Sequence, residues 1–483
     1  MKLRKTMIAS SIVISLMAAQ SAMAAGQLKG HNPEVSSDFM ANAEGNVSAI
    51  SQTSVTGMGN EATVSQQGEF NGVNSEARGD GNQVEAIQSG ASNILASELI
   101  GDDNSINLYQ ESNESRAEVM IEGSANTINI SQLGDGGPIG FIFNRTINDV
   151  KGDNNTITID QGDGGNWANN TIEGNSNTIE VAQTEDWHES YVRSLVGDGN
   201  TIKVDQGGYY NITNITEVMG DDNTMTFTSN GERNRITAAV SGSDNTIMFS
   251  QSGNSNTAEF GVFEGNNTNA VLTQDGENNL GTIDNVGDNN DYTLIQMGNN
   301  NEGYTGSLGT QNAFSVSQMG DDNLASTVNF DGTENVVSIS QIGNENTLLA
   351  EAGVGENGPS GYSADYNTLS MVQDGNQNDA VLRVAGNIES HSNVIDISQD
   401  GDLNHLDMLI DGSSNLIEIS QEGNGNWISG DDTYALNVSG DNLSLSITQA
   451  GNDNLVTGDF IGNNDSVVIS QIGDGNIATV HQQ

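Results

Sequence analysis

Glutamine and asparagine recur along this sequence at a fixed spacing, and their side chains offer hydrogen bonding through a paired donor and acceptor. Eighteen glutamines mark the recurrence, with Ser229 at the place of a nineteenth. Of the 18 intervals between these positions, 13 are 22 or 23 residues, which predicts a repeat architecture instead of one globular core. The marking glutamines are Gln52, Gln66, Gln88, Gln110, Gln132, Gln161, Gln183, Gln206, Gln251, Gln274, Gln296, Gln318, Gln341, Gln373, Gln399, Gln421, Gln449 and Gln471.

The segment before each marking glutamine predicts a β-strand. It reads Asn-x-Φ-x-Φ-x-Gln, where Φ is aliphatic, as in residues 126–132, 335–341 and 415–421. Alternation of this kind with β-branched residues is typical of strands. It places the asparagine, both aliphatic residues and the glutamine on one face, so the buried face is expected to be half apolar and half amide.

A glycine-rich turn follows most of these segments. Thirteen of the 18 glutamines are followed by the full spacing Gln-x-Gly-x-x-Asn, and a weaker alternating segment comes next, as in residues 323–328. Glycine, asparagine and aspartate tolerate the positive φ angles that tight turns require. Each repeat is therefore predicted to be strand, turn, strand, turn.

The fold class predicted is all-β: a β-solenoid of about 19 stacked strand-turn-strand rungs of 22–23 residues, with amyloid-like cross-β character. Stacked rungs place identical side chains about 4.8 Å apart, so amides can pass hydrogen bonds from rung to rung. We predict that the following residues form this structural and assembly ladder: Gln66, Asn71, Gln88, Asn93, Gln251, Asn256, Gln318, Asn323, Gln341, Asn346, Gln399, Asn404, Gln421, Asn426, Gln449, Asn454, Gln471, Asn476 and Gln482.

Five intervals are irregular, and we expect their extra residues to bulge from turns without changing the stacking. The insertions near residues 137–143 and 353–363 contain proline and aromatic residues. They are either places of surface contact or tolerated variation in loop length. The first interval, of 14 residues after Gln52, suggests an incomplete opening rung.

The chain is strongly acidic, with 65 Asp and Glu against 13 Lys and Arg and a formal net charge of -52. Nucleic acid is a poor partner for such a chain, because phosphate binding requires clustered Lys and Arg. The sequence has no cysteine, which excludes disulfides and thiolate metal sites.

Residues 1–24 have the features of a secretory signal peptide. Basic residues precede an apolar stretch that ends in the small-residue pattern Ala22-Met23-Ala24. Residues 25–45 contain no copy of the repeat and are either a disordered terminus or an address for a secretion machine, and residues 46–483 form the repeat domain. No other stretch is long and apolar enough to span a bilayer, so we expect an exported protein without a transmembrane segment.

Catalytic and metal-binding motifs are not evident. The five histidines are scattered, and the acids are spread through turns instead of converging in a groove. Turns such as residues 220–223 and 320–323 carry oxygen ligands of the kind Ca²⁺ prefers, but the period differs from that of the calcium-binding β-roll. We therefore predict a protein that is not an enzyme, with no catalytic, cofactor or specific metal residues and only weak screening by divalent cations. A polysaccharide-degrading β-helix is the alternative enzyme class.

The last full motif, Gln471 to Gln482, reads Q-x-G-x-x-N-x-A-x-x-x-Q and resembles the curlin repeat of the major and minor subunits of bacterial curli fibres. The resemblance is complete there and partial but recurrent over residues 46–483. The chain departs from the pattern at Ser115, His188 and Ser229, has more repeats than ordinary curlins, and is unusually acidic.

The resemblance implies a secreted structural protein that passes through the periplasm of a Gram-negative bacterium and polymerises at the cell surface. The resulting curli-like amyloid fibres would serve cell adhesion and the biofilm matrix. It implies three partners: the chain itself, a curli-type nucleator, and an outer-membrane secretion channel for which residues 25–45 would be the address. In such a family the ladder glutamines and asparagines are thought to drive nucleation and elongation. Two alternatives stay open, a monomeric acidic β-solenoid adhesin and a calcium-dependent matrix protein.

Overall fold

The computed structural model describes residues 45–482 except 58, 135–142, 330–331, 356–357, 360–361 and 432–433. The predicted signal peptide and residues 25–44 of the non-repeat segment lie outside the described residues. What is described consists of strands and turns with no α-helix, so the predicted all-β class is confirmed. No helix in this part of the chain is long and apolar enough to cross a membrane.

The described residues form two units, one of residues 45–244 with 259–261 and the other of the remainder from residue 245. We call a strand that carries a marking glutamine a glutamine arm and the strand after it a second arm. The strands up to residue 244 are β1 (Val47–Thr53), β2 (Glu61–Glu69), β3 (Gly72–Arg78), β4 (Gln83–Ala91), β5 (Ile94–Ile100), β6 (Ser105–Ser112), β7 (Arg116–Glu122), β8 (Thr127–Gly134), β9 (Arg145–Lys151), β10 (Thr156–Gln161), β11 (Trp167–Glu173), β12 (Thr178–Gln183), β13 (Glu189–Val196), β14 (Thr201–Tyr209), β15 (Ile212–Met219), β16 (Thr224–Glu232) and β17 (Arg235–Ser241).

The later strands follow the same alternation of arms, interrupted by short extra strands. They are β18 (Thr246–Asn254), β19 (Thr257–Glu264), β20 (Asn269–Glu277), β21 (Leu280–Val286), β22 (Asp291–Met297), β23 (Glu302–Ser307), β24 (Ala313–Met319), β25 (Leu324–Asn329), β26 (Val336–Ile342), β27 (Thr347–Ala352), β28 (Val354–Gly355), β29 (Gly358–Pro359), β30 (Ala364–Asp365), β31 (Thr368–Asp374), β32 (Asp379–Val384), β33 (Ser390–His391), β34 (Val394–Asp400), β35 (His405–Asp411), β36 (Leu416–Glu422), β37 (Trp427–Ser429), β38 (Leu436–Ser439), β39 (Ser444–Ala450), β40 (Leu455–Ile461), β41 (Ser466–Ile472) and β42 (Ile477–Gln482).

Within each unit, every arm pairs in parallel with the equivalent arm of the next repeat. In the first unit, β4, β6 and β8 pair in order, so that Gln88 lies opposite Gln110 and Gln110 opposite Gln132. In the second unit, β22, β24 and β26 do the same. The repeats thus stack as a β-solenoid of about 19 turns, as the periodicity predicts.

Aliphatic columns fill the space between the two arms. Ile106, Ile128, Ile157 and Ile179 occupy the same place in successive glutamine arms, and each has no exposed surface. Burying an isoleucine side chain stabilises a fold by about 1.5–3 kcal/mol. A glutamine arm such as β10 buries two aliphatic side chains, Ile157 and Ile159, so the apolar contribution grows in proportion to the number of rungs.

The turns require glycine for two reasons: the backbone has a positive φ, and the next rung leaves no room for a Cβ atom. Gly320 has a φ of 122°, and a Cβ there would lie 2.0 Å from the carbonyl oxygen of Gly343 in the next rung. Any other residue would push the two turns apart. A non-glycine residue at positive φ precedes many of the buried asparagines, as at Asp322 before Asn323, which fits the tolerance of short polar side chains for this region.

The irregular intervals leave the stacking in register, as expected. Across the interval of 32 residues, Gln341 still lies opposite Gln373, and the extra residues include the antiparallel pair β28 and β29. Across the interval of 28, Gln421 lies opposite Gln449. The insertion near residues 137–143 falls almost entirely outside the described residues.

Candidate functional site: the amide ladders

The marking glutamines form two continuous side-chain ladders, one from Gln66 to Gln206 and the other from Gln251 to Gln471. The Nε2 of each glutamine donates to the Oε1 of the glutamine one rung later, at 2.6–2.9 Å from Gln66 to Gln206. From Gln251 to Gln471 the same bonds measure 2.8–3.0 Å. Away from the ends these side chains are fully buried. The ladder therefore satisfies polar atoms that would be costly to bury alone.

The second N–H of the ladder amide ties the glutamine arm to the second arm. Gln318 Nε2 donates to the carbonyl oxygen of Glu302 at 3.0 Å, and Gln341 Nε2 donates to that of Leu324 at 3.0 Å. One amide group thus links consecutive rungs and also bonds across the interior to the backbone of the facing second arm. No apolar residue of similar size offers both bonds.

The asparagine at the start of the second arm forms a ladder of a different kind. Its Oδ1 accepts from the backbone N–H of the asparagine one rung later, as from Asn346 to Asn323 at 3.1 Å. Its Nδ2 donates to the carbonyl oxygen of a turn glycine in the next rung, as from Asn323 to Gly343 at 2.8 Å. The side chain therefore holds the turn and the stacking together. In the second unit the links run through Asn256, Asn279, Asn301, Asn323, Asn346, Asn378, Asn404, Asn426, Asn454 and Asn476.

The asparagine that immediately precedes most glutamine arms forms a third ladder of the same kind. These asparagines were not among the ladder residues predicted from sequence. Asn104 accepts from the backbone N–H of Asn126 at 3.1 Å, and its Nδ2 donates to the carbonyl oxygen of Gly123 at 2.8 Å. The recurrent asparagine of the Asn-x-Φ-x-Φ-x-Gln segment was the signal that could have identified it.

Two predicted positions need correction. Gln482 lies opposite Phe460 in the second arm and so extends no glutamine column. Gln52 lies in β1, a second arm, opposite Ala77. Its segment has the alternation of a glutamine arm, but Ser54 stands where a turn glycine would follow it. The short first interval thus separates two different arms. Among the described residues the first rung consists of the second arm β1 alone, in agreement with an incomplete opening rung.

The remaining predicted residues are brought into the two ladders. In the first unit Asn93 accepts from the backbone N–H of Ser115 at 3.1 Å, and Asn71 from that of Asn93 at 3.1 Å. Gln66 and Gln88 are joined at 2.8 Å.

The ladder is interrupted at Ser229, which lies opposite Gln206. Gln206 Nε2 there donates to Thr213 Oγ1 at 3.2 Å and to the carbonyl oxygen of Asn211 at 3.1 Å. A hydroxyl on the facing arm therefore takes the place of the missing glutamine oxygen. The sequence showed the interruption, but only the contact identifies Thr213 as its compensation.

His188 replaces an asparagine of the second ladder and still accepts the backbone N–H of the next rung. Its Nε2 contacts the carbonyl oxygen of Thr184 at 2.7 Å, and its Nδ1 accepts from the backbone N–H of Asn211 at 3.3 Å. A carbonyl can only accept and an N–H can only donate, so the ring must be neutral with its proton on Nε2. Burial lowers the pKa of His188, although Thr184, Glu185 and Asp186 act in the opposite direction.

Acidification should therefore loosen the rung that contains His188. The unfolded chain binds a proton below its ordinary pKa of 6.5, whereas the folded ring resists it. Stability is thus complete above that value and falls as the pH decreases below it. We expect amide hydrogen-exchange protection over residues 184–212 to decrease between pH 7 and pH 5. The variant His188→Asn should keep its protection over the same range; an identical decrease in the variant would assign the effect to other groups.

Surface turns carry a further ladder that sequence reasoning treated as solvated acid. Asp474 Oδ1 accepts from the backbone N–H of Asn452 at 2.8 Å, and Asp321 Oδ1 from that of Asn299 at 2.8 Å. Amide side chains occupy the rungs between the acids, as where Asn344 accepts from Asp321 at 2.8 Å. Where acids and amides alternate, like charges that would repel at strand spacing are kept apart, whereas Asp198 and Asp221 occupy consecutive rungs.

One part of the first unit has a polar interior that is not satisfied. Asn170 Nδ2 donates to Asn148 Oδ1 at 2.9 Å. The other amide atoms of this pair have no partner among the described residues, and the same is true of Thr146 Oγ1 and Ser190 Oγ. All four residues are 0–1% exposed. Buried polar atoms without partners cost about 1–3 kcal/mol each.

Replacing both asparagines by valine should stabilise this unit. The neighbouring rungs already carry Val119 opposite Asn148 and Val192 opposite Asn170, so the volume and packing are accommodated locally. We expect Asn148→Val with Asn170→Val to raise the free energy of unfolding by about 1–3 kcal/mol. The single variant Asn170→Val, which leaves Asn148 without its partner, should be the less stable of the two. Thermal unfolding of both variants measures this, and a destabilised double variant would contradict it.

Three segments that carry the ladders match a known family of protein repeats. The family model described as the curlin associated repeat matches residues 101–134, 174–208 and 242–276. Each match spans one glutamine arm through to the next and so contains two ladder glutamines, such as Gln110 and Gln132. The chain is a curlin-repeat protein. No curated protein matches it.

Curlin repeats indicate a structural protein of the curli type, and the β-solenoid of this curlin-repeat protein agrees with that. The family is structural and not enzymatic. In the part of the chain that the structure describes, no three His, Asp or Glu side chains converge as a group that could hold a metal ion.

Proposed function

We propose that this curlin-repeat protein is exported to the cell surface and assembles end to end into extracellular cross-β fibres that serve adhesion and the biofilm matrix. A curli-type nucleator and an outer-membrane channel would be its partners in this process, and the ladder residues would drive elongation. The single observation that carries the proposal is the exposed edge formed by β41 and β42.

Inward-facing residues of this edge lack the cover that their equivalents have one rung earlier. Val467 and Ile469 are partly exposed, whereas Leu445 and Ile447, directly opposite them, are 2% and 1% exposed. Gln471 Nε2 donates to the carbonyl oxygen of Leu455 but to no glutamine beyond it among the described residues. Such an edge offers apolar surface, free backbone groups and an amide donor to another strand.

A second copy is the occupant that fits the edge best. The pairing inside the chain repeats one register, so an arm of another copy can add glutamine to glutamine and aliphatic to aliphatic. Strand addition of this kind takes affinity from main-chain hydrogen bonds and specificity from the side-chain columns. Repetition of the contact generates an open fibre instead of a closed oligomer.

The experiment is assembly of the purified mature chain. We expect fibres that bind an amyloid dye and give a reflection near 4.8 Å. Replacing Gln471 and Asn476 together by alanine should slow elongation much more than replacing the outward-facing Ser466 and Ser470 by alanine. A chain that stays monomeric at every concentration would favour the monomeric adhesin instead. Equal effects of the two double variants would contradict the role of the ladder residues in elongation.

Assembly should also depend on divalent cations, because neighbouring copies bring their carboxylates together. Asp198 and Asp221 already occupy consecutive rungs, and the backbone N–H of the first donates to Oδ1 of the second at 2.8 Å. We propose diffuse screening of such columns by Ca²⁺ without a specific site. EDTA at low ionic strength should lengthen the lag before fibres appear, and added Ca²⁺ should shorten it. Kinetics that do not change with calcium concentration would contradict this.

A further inference from the structure

The outer face of the glutamine arms in the first unit carries a shallow groove of about 290 Å³. It spans β4, β6, β8 and β10, so it extends over four consecutive rungs. Its volume is close to the lower end of the range of pockets that take small molecules, about 300 Å³. The residues around it are Glu85, Ile87, Asn107, Leu108, Tyr109, Asn129, Ile130, Ser131 and Asp160.

One wall of the groove is apolar. Tyr109 is 41% exposed and Ile87, one rung earlier in the same column, is 37% exposed. The Tyr109 hydroxyl donates to Glu111 Oε2 at 2.6 Å, which fixes the ring on the surface. An aromatic ring held in this way presents an apolar face at a small entropy cost.

The opposite wall is polar and has unused hydrogen-bonding capacity. Asn107 Nδ2 donates to Asn129 Oδ1 at 2.9 Å. Asn107 Oδ1 and Asn129 Nδ2 have no partner among the described residues, which leaves one acceptor and one donor in consecutive rungs. Ser131 and Asp160 add a hydroxyl and a carboxylate beside the ring.

We propose that this groove binds a segment of a neutral polysaccharide. A pyranose ring has an apolar face that stacks on an aromatic side chain and a rim of hydroxyls that both donate and accept hydrogen bonds. The groove supplies both partners, and an extended hexose chain advances by about one sugar for each rung. Glu85 and Asp160 line the groove, Glu111 accepts from the Tyr109 hydroxyl beside it, and no Lys or Arg lines it, so anionic glycans and nucleic acids are repelled. The proposal does not depend on fibre formation.

Binding of cellohexaose to the soluble full chain, followed by saturation-transfer NMR, tests the proposal. A dissociation constant of about 1 mM is expected, because the groove is open and only one ring stacks. Tyr109→Ala should weaken binding at least tenfold, and Tyr109→Phe, which keeps the ring, should retain most of it. Tyr210→Ala is the matched control, since Tyr210 is 39% exposed but packs against Trp187 at 5.5 Å.

The anionic hexamer of galacturonic acid should not bind. Unchanged affinity for cellohexaose in Tyr109→Ala would overturn the proposal. So would the absence of binding at a cellohexaose concentration tenfold above the expected dissociation constant of about 1 mM. Thermal unfolding of each variant shows that the fold is kept, because the substituted side chain lies on the outer face.

Discussion

Gln399→Ser is expected to lower the local opening free energy of the second unit by about 2–4 kcal/mol, because two buried amides, those of Gln373 and Gln421, each lose one hydrogen-bond partner. Gln373 Nε2 donates to Gln399 at 2.8 Å, and Gln399 Nε2 donates to Gln421 at 2.8 Å. All three side chains are 0–1% exposed, so water cannot replace the lost bonds. Hydrogen exchange over residues 368–421 measures the effect, since stacked repeats open locally.

The chain itself suggests a rescue and a control for this variant. Gln206 meets the natural serine interruption by donating to Thr213, seven residues later. Ala380 holds the equivalent place relative to Gln373, so Ala380→Thr should recover part of the loss. Asp396→Asn, at an exposed position of the same strand, should change little. Equal loss in Gln399→Ser and Asp396→Asn would mean that the ladder contributes nothing.

Ile469→Lys should reduce the rate of fibre elongation at least 100-fold while leaving the chain folded. Ile469 faces inward on the exposed edge and is only partly covered, so a lysine there can reach solvent in the isolated chain. In a fibre it would occupy the environment of Ile447, which is 1% exposed. A buried, unpaired ammonium costs several kcal/mol, which accounts for a rate loss of this size.

Val468→Lys is the matched control, because the adjacent side chain points outward and is 74% exposed. Its elongation rate should fall by less than threefold, and circular dichroism should show both variants folded. Seeded assembly followed by dye fluorescence gives the rates. If both lysines slow elongation equally, net charge and not the interior of the edge controls assembly.

Much of the fold could be predicted because the repeat constrains position, face and register together. The period fixes which residues stack, and alternation fixes which of them point inward. Gln318 and Asn323 could therefore be placed in columns from sequence. The structure also shows what the amides do beyond stacking, since Gln318 closes the interior through Glu302 and Asn323 holds a turn glycine.

The features that could not be predicted from the sequence depend on contacts across the interior of the solenoid or on the hydrogen-bond partners of single side chains. Gln52 fits the alternation of either arm, and only the missing turn glycine distinguishes the two. Asp474 looks solvated because it lies in a turn, yet it accepts a backbone N–H from the preceding rung. The pair of Asn148 and Asn170 occupies places that elsewhere hold valine, and alternation alone does not show that its amides lack partners.

Engineered disulfides test the in-register stacking most directly, because the chain has no cysteine of its own. Ser315 and Ser338 are exposed, face outward and lie directly opposite each other on β24 and β26. Adjacent strands are about 4.8 Å apart, within the Cα range that a disulfide accepts. Ser315→Cys with Ser338→Cys should oxidise rapidly and completely, whereas Ser315→Cys with Ser340→Cys, displaced by two residues, should stay reduced. Equal oxidation of both pairs, or preference for the displaced pair, would contradict the stacked ladders.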